Sequence, residues 1–138
     1  MTTLPKSKAV LLVDDNEDDV FFMTRAAKDA GMDGFFHVLH DGQAAKDYLE
    51  GAGEFADRVR FPLPTLMLLD LKLPYISGLD LLQWMRAQPP LAGIIVIVLT
   101  SSQAPVDLNR AFQLGANSVL EKPPTAEKLR DLLRIFRL

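Results

Sequence analysis

Three uninterrupted apolar runs divide the chain: Ala9-Val10-Leu11-Leu12-Val13, Leu66-Met67-Leu68-Leu69 and Ile94-Ile95-Val96-Ile97-Val98-Leu99. None alternates with polar residues, which is the pattern of strands buried on both faces of a parallel sheet covered by helices. Two weaker strands are predicted at 35–39 and 118–120. Helical patterns fill the gaps. Asn16 can cap a helix reaching to about Ala30 and stopped by Gly31, and a second runs over 41–50 up to Gly51. A third spans about 78–87 and ends before Pro89-Pro90. A fourth starts near Ser102, carries Pro105 in its first turn and ends at Gly115. Thr125 caps the last, which reaches almost to Leu138. The stretch 52–64 shows no periodicity and is predicted to be a long loop. The order is βαβαβαβαβα, so the fold class is α/β, with parallel strands and right-handed crossovers.

The chain has 138 residues, 49% of them apolar and 24% charged, which suits one globular domain over 1–138. The last helix runs to the end of the chain, so no output domain is expected. A net charge of −3 gives no general attraction to nucleic acid or to an anionic membrane. There is no cysteine, which removes thiolate chemistry and disulfides. Met1 to Lys8 is short and polar, with no apolar signal core, and no apolar run approaches the roughly 20 residues that cross a bilayer. A cytoplasmic location is the expectation.

The chemistry gathers at the strand ends. The first strand runs into Asp14-Asp15, the third into Asp70, the fourth into Thr100, and the fifth is followed by Lys122-Pro123. In open α/β sheets the carboxyl ends of the strands form the ligand site, so these distant residues should meet there. Three carboxylates in one cleft repel one another unless a cation sits among them. Without nearby His or Cys the cation should be hard and oxygen-ligated, and Mg²⁺ fits, with Mn²⁺ as a substitute. A carboxylate can attack phosphorus to give an aspartyl phosphate. A metal, the Lys122 ammonium and the Thr100 hydroxyl could then each meet one phosphoryl oxygen. Taken singly, each feature has an ordinary explanation as a turn residue, a helix cap or a loop.

The combined set, Val13-Asp14-Asp15-Asn16, Leu69-Asp70-Leu71-Lys72-Leu73-Pro74 with Gly78, Leu99-Thr100-Ser101 and Lys122-Pro123, resembles the receiver domain of two-component response regulators over essentially the whole chain. The resemblance implies a doubly wound, flavodoxin-like (βα)5 fold with strand order 2-1-3-4-5. It implies Asp70 as phosphoacceptor, with Mg²⁺ held by Asp15, Asp70 and the Lys72 backbone carbonyl, and by Asp14 through water. Thr100 becomes the switch hydroxyl, Lys122 the phosphate-binding lysine, and the peptide bond to Pro123 is expected to be cis. The protein would accept its phosphoryl group from a histidine kinase or a histidine phosphotransfer protein. It would be no enzyme beyond its own phosphorylation and dephosphorylation.

The run Asp14-Asp15-Asn16-Glu17-Asp18-Asp19-Val20, the loop Gly51-Ala52-Gly53-Glu54-Phe55, the run Leu69-Asp70-Leu71-Lys72-Leu73-Pro74 and Leu114-Gly115-Ala116-Asn117 are similar to the small single-domain regulators associated with bacterial phytochrome kinases. One position departs from the family pattern: Val119 stands where many receivers carry the aromatic ring that swings inward on activation.

Other uses of the sequence stay open. The same fold can act as a phosphate shuttle or sink in a multi-step relay. Hydrolases with an aspartyl-phosphate intermediate usually place an Asp two residues after the nucleophile, where this chain has Lys72. A nucleotide site lacks its glycine-rich phosphate loop, and a DNA-binding regulator lacks a basic face. Two surfaces are expected to meet partners. Phe22 lies roughly opposite Val20 on the first helix, whose core stripe is Val20, Met23, Ala27 and Ala30, so it is a candidate anchor for the kinase. Leu129, Leu132, Leu133 and Phe136 form the core face of the last helix, and Leu108, Ala111 and Phe112 that of the fourth. That leaves Leu114, Ile135 and Leu138 as a candidate homodimer face.

Overall fold

The computed structural model describes residues 9–32, 35–101 and 105–138. Five strands alternate with five helices: β1 (Ala9–Val13), α1 (Glu17–Asp29), β2 (Phe35–Leu39), α2 (Gly42–Glu50), β3 (Pro64–Asp70), α3 (Gly78–Arg86), β4 (Ile95–Thr100), α4 (Pro105–Gln113), β5 (Ser118–Glu121) and α5 (Ala126–Ile135). All strand pairs are parallel, and the sheet order is β2-β1-β3-β4-β5. The expected α/β class and strand order are therefore observed. The predicted start of the fourth helix near Ser102 lies outside the described residues.

The unbroken apolar runs have a direct structural cause. Successive side chains of a strand point to opposite faces, and here both faces are covered. Leu11, Val13, Met67, Leu69, Val96 and Val98 pack on one side beneath α2, α3 and α4. Val10, Leu12, Leu66, Leu68, Ile97 and Leu99 pack on the other beneath α1 and α5. Polar residues on either face would be buried without partners, so neither face can alternate.

Helix starts follow their caps. The side chains of Asn16, Asp41, Ser77 and Thr125 accept from the backbone N–H three residues on, at 2.9, 2.7, 3.1 and 3.1 Å. Each such cap is worth about 1 kcal/mol. α2 stops at Gly51, whose φ of 73° suits glycine.

Residues 52–64 do not form a featureless loop. A 3₁₀ turn spans Gly53–Ala56. Phe55 and Phe61 close on Tyr48 with ring centroids 5.1 and 5.9 Å away, and His37 lies 5.4 Å from Phe61. The Arg58 guanidinium donates to the carbonyls of Tyr48, Leu49 and Phe61 at 2.8, 3.0 and 3.2 Å, closing the end of α2. These contacts join segments remote in sequence, so no periodicity announces them.

The proposed dimer face needs correction. Leu114 and Leu138 are partly buried against the two halves of the core, and only Ile135 of that trio is largely exposed, at 68%. Both leucines lie past the ends of their helices, where helical spacing no longer assigns a face. Arg137 takes a φ of 57°, and the Leu138 N–H donates to the Leu133 carbonyl at 2.8 Å, turning the chain end back onto the core. On α4 the inward stripe centres on buried Ala111, so Phe112, expected inside, is half exposed instead.

Candidate functional site

The end of β1 is fixed by the Asp14 N–H, which donates to the Leu39 carbonyl of β2 at 3.0 Å. The Asp14 side chain then accepts from the Asn16 N–H at 3.0 Å, tying the acid pair to the start of α1. β3 delivers Asp70 beside it, and the Lys72 N–H donates to Asp70 Oδ1 at 2.9 Å. Gly78 is needed for this loop. A Cβ there would collide with the Asp70 carbonyl oxygen and Leu71 Cα, and its N–H donates to the Leu71 carbonyl at 3.0 Å. β5 brings Lys122, whose backbone N–H donates to the Thr100 carbonyl at 2.8 Å, and the Lys122–Pro123 bond is cis.

Asp14, Asp15 and Asp70 each offer an oxygen within 4.8 Å of the others. Asp14 is fully buried, Asp70 nearly so, and Asp15 is exposed, so the cluster runs from the interior to its mouth. The Lys122 ammonium, itself 7% exposed, lies 2.8 Å from Asp14 Oδ2, 2.9 Å from Asp19 Oδ2 and 3.0 Å from Asp70 Oδ2. Thr100 shares a narrow cavity of about 30 Å³ with Asp70, Leu71, Lys72, Leu99, Ser101 and Asp107. The structure thus gathers Asp14, Asp15, Asp70, Lys72, Thr100 and Lys122 at one edge of the sheet. Phe22 stands apart on α1, half exposed and edge-to-face with Phe21 at 5.5 Å. Val119 is half-buried against the α2–α3–α4 side of the core.

Burial pushes the Asp14 carboxyl above the ordinary carboxylate range. The Asp70 charge adds to that push, while Lys122 and the Asn16 N–H oppose it. Burial alone would lower Lys122, but the carboxylates of Asp14, Asp19 and Asp70 outweigh it and hold the ammonium above the usual lysine range. The edge therefore keeps a fixed positive charge inside an excess of negative charge. Hard oxygen ligands in such a cluster suit a small divalent cation. Asp19 was not singled out from the sequence; the available signal was its place on the first turn of a helix that begins beside Asp15.

Residues 10–134 match the response regulator receiver domain, and the chain belongs to that family. It is a receiver domain of two-component signalling. Among its relatives is the probable methanogenesis regulatory protein FilR2 of Methanothrix harundinacea, 39% identical over 88% of this chain and 76% of that protein. The response regulator Rcp1 of Synechocystis is 34% identical over 94% of this chain and 84% of its own, and the structure of its Mn²⁺-bound form superposes with a TM-score of 0.77, covering 94% of this chain and 91% of that one. The bacteriophytochrome response regulator RtBRR gives a TM-score of 0.84 at 34% identity, covering 95% of this chain and 78% of that one. Phytochrome-associated regulators are thus close structural neighbours. No helix among the described residues is long and apolar enough to cross a membrane.

Proposed function

We propose that the protein takes a phosphoryl group onto Asp70 from a histidine kinase or a histidine phosphotransfer protein, in a Mg²⁺-dependent reaction, and signals by a change of surface. The observation that carries this reading is the meeting of three carboxylates, one buried ammonium and one hydroxyl-bearing strand end at a single sheet edge. The Mn²⁺-bound Rcp1 supports a divalent cation there, and the names of the bacteriophytochrome response regulators RtBRR and AtBRR support a phytochrome kinase as donor.

A Mg²⁺ held by Asp15, Asp70 and the Lys72 carbonyl, with Asp14 acting through water, would neutralise charge on a transferring phosphoryl oxygen. The Asp70 oxygen forms the new bond to phosphorus. The P–N bond of the phosphohistidine breaks, and its electron pair stays on the imidazole nitrogen. The Lys122 ammonium meets a second phosphoryl oxygen, and the Thr100 hydroxyl donates to a third. Hydrolysis reverses the attachment: a water oxygen bonds to phosphorus, the Asp70 carboxylate leaves with the electron pair, and the proton goes to solvent.

Phe22 is the proposed docking anchor for the donor, because it is exposed on the helix that starts beside Asp15. Transfer from a phosphorylated kinase tests both assignments. Asp70→Asn should abolish labelling while the melting temperature stays high, and full labelling would refute the phosphoacceptor. Phe22→Ala should slow transfer from the kinase and leave labelling by acetyl phosphate unchanged. Equal slowing with both donors would remove it from the docking surface.

A further inference from the structure

Asp19 sits on the first turn of α1, its N–H bonded to the Asn16 side chain, so the helix cap rather than the cleft fixes its position. Its Oδ2 nevertheless accepts from Lys122 at 2.9 Å, as close as the Asp14 and Asp70 carboxylates approach the same ammonium. Its side chain is 33% exposed, at the rim rather than in the interior.

The consequence is a matter of charge. With their carboxyls ionised, Asp14, Asp15, Asp70 and Lys122 carry two net negative charges, which one divalent cation would neutralise. Asp19 adds another negative charge on the ammonium itself, so the cation-loaded edge stays negative. Opposite charges a few ångströms apart at a partly screened edge interact strongly enough to alter affinity severalfold.

We propose that Asp19 is a positioning residue that sets the charge balance of this edge, favouring the cation and opposing the phosphoryl group. It keeps part of the Lys122 ammonium for itself and adds repulsion toward phosphoryl oxygens on Asp70. The inference rests on reading Asp70 as the phosphoacceptor. Because attaching a phosphoryl group turns one negative charge at Asp70 into two, while binding a cation adds positive charge, Asp19 must act on the two events with opposite sign.

Two calorimetric titrations test this, one with Mg²⁺ alone and one with beryllofluoride, a phosphoryl analogue, at saturating Mg²⁺. In Asp19→Asn the Mg²⁺ Kd should rise about three- to tenfold, while the beryllofluoride Kd should fall by a similar factor. Asp18→Asn removes the same charge from the neighbouring exposed residue, and should leave both constants close to wild type. A merely structural role for Asp19 would weaken both ligands together, and a bystander would change neither; either result overturns the proposal. So would equal shifts in Asp18→Asn. Wild-type beryllofluoride binding by Asp70→Asn would instead place the failure in the phosphoacceptor assignment.

Discussion

At the carboxyl end of the sheet, three carboxylates contact one buried ammonium, and a fourth, Asp15, lies beside two of them. At the amino end, two guanidiniums are ringed by backbone carbonyls. Arg58 closes the end of α2, and Arg86 reaches the carbonyls of Ala92, Ile94 and Gly115 at 2.9, 2.8 and 2.8 Å and the Asn117 amide oxygen at 3.0 Å. Asn117 in turn accepts from the Val96 N–H at 2.8 Å, so α3, β4 and β5 are tied through one side chain. Arg86 donates to neutral acceptors that match its planar fork. The acidic end holds like charges together and leaves them under-compensated. The charged groups of one end hold the fold, and those of the other form the edge proposed to take a cation and a phosphoryl group.

Substitutions at the two ends should accordingly differ in sign. The largest effect on stability is expected at the amino end. Arg86→Ala strands several carbonyls beneath the α3 terminus and should cost about 2–3 kcal/mol in urea unfolding. Arg86→Lys should recover little of it, because a compact ammonium cannot span acceptors on three segments. A variant within about 0.5 kcal/mol of wild type would show that water replaces the guanidinium there.

At the acidic end, removing a charge should help rather than harm the metal-free fold. Asp15→Asn relieves repulsion with Asp14 and Asp70, and should raise the metal-free melting temperature by a few degrees, in line with about 1 kcal/mol. The same substitution should shrink the stabilisation that Mg²⁺ gives. Unchanged Mg²⁺ stabilisation would mean that Asp15 is no ligand.

The smallest effect concerns pH. Burial among the Tyr48 and Phe61 rings lowers the His37 pKa from 6.5, an effect only partly opposed by its contact with the Arg60 backbone. The unfolded chain therefore takes up a proton on His37 before the folded chain does. Stability should fall as pH drops below about 6.5 and on through the lower folded value. His37→Phe should flatten that part of the melting-temperature profile between pH 7.5 and 5.5, and an unaltered slope would place the acid sensitivity elsewhere.

The same contrast explains what the sequence made legible. β1, β3 and β4, covered on both faces, must be apolar throughout and so stood out, whereas the edge strands β2 and β5 carry polar residues and gave only weaker patterns; the strand ends pointed to Asp14, Asp15, Asp70, Thr100 and Lys122. The caps at Asn16 and Thr125 were equally readable, because they act within one turn, whereas Asp41, read as the first residue of its helix, is its cap. Contacts between remote segments were not. The aromatic group of His37, Tyr48, Phe55 and Phe61 and the reach of Arg58 and Arg86 leave no periodic trace. Asp19 reads locally as an acid on a first helical turn, a common preference, and its contact with Lys122 spans 103 positions. Leu114 and Leu138 were misplaced because the helical wheel was continued beyond the helix ends.

The central claim is that the acidic edge is a cation-dependent phosphoacceptor centred on one aspartate. Incubation with acetyl phosphate in Mg²⁺ or in EDTA, followed by peptide mapping in a mass spectrometer, tests it most directly. The account predicts one phosphoryl adduct, on Asp70, formed with Mg²⁺ and nearly absent in EDTA. An adduct on another residue, or equal labelling of Asp70 in EDTA, would contradict it.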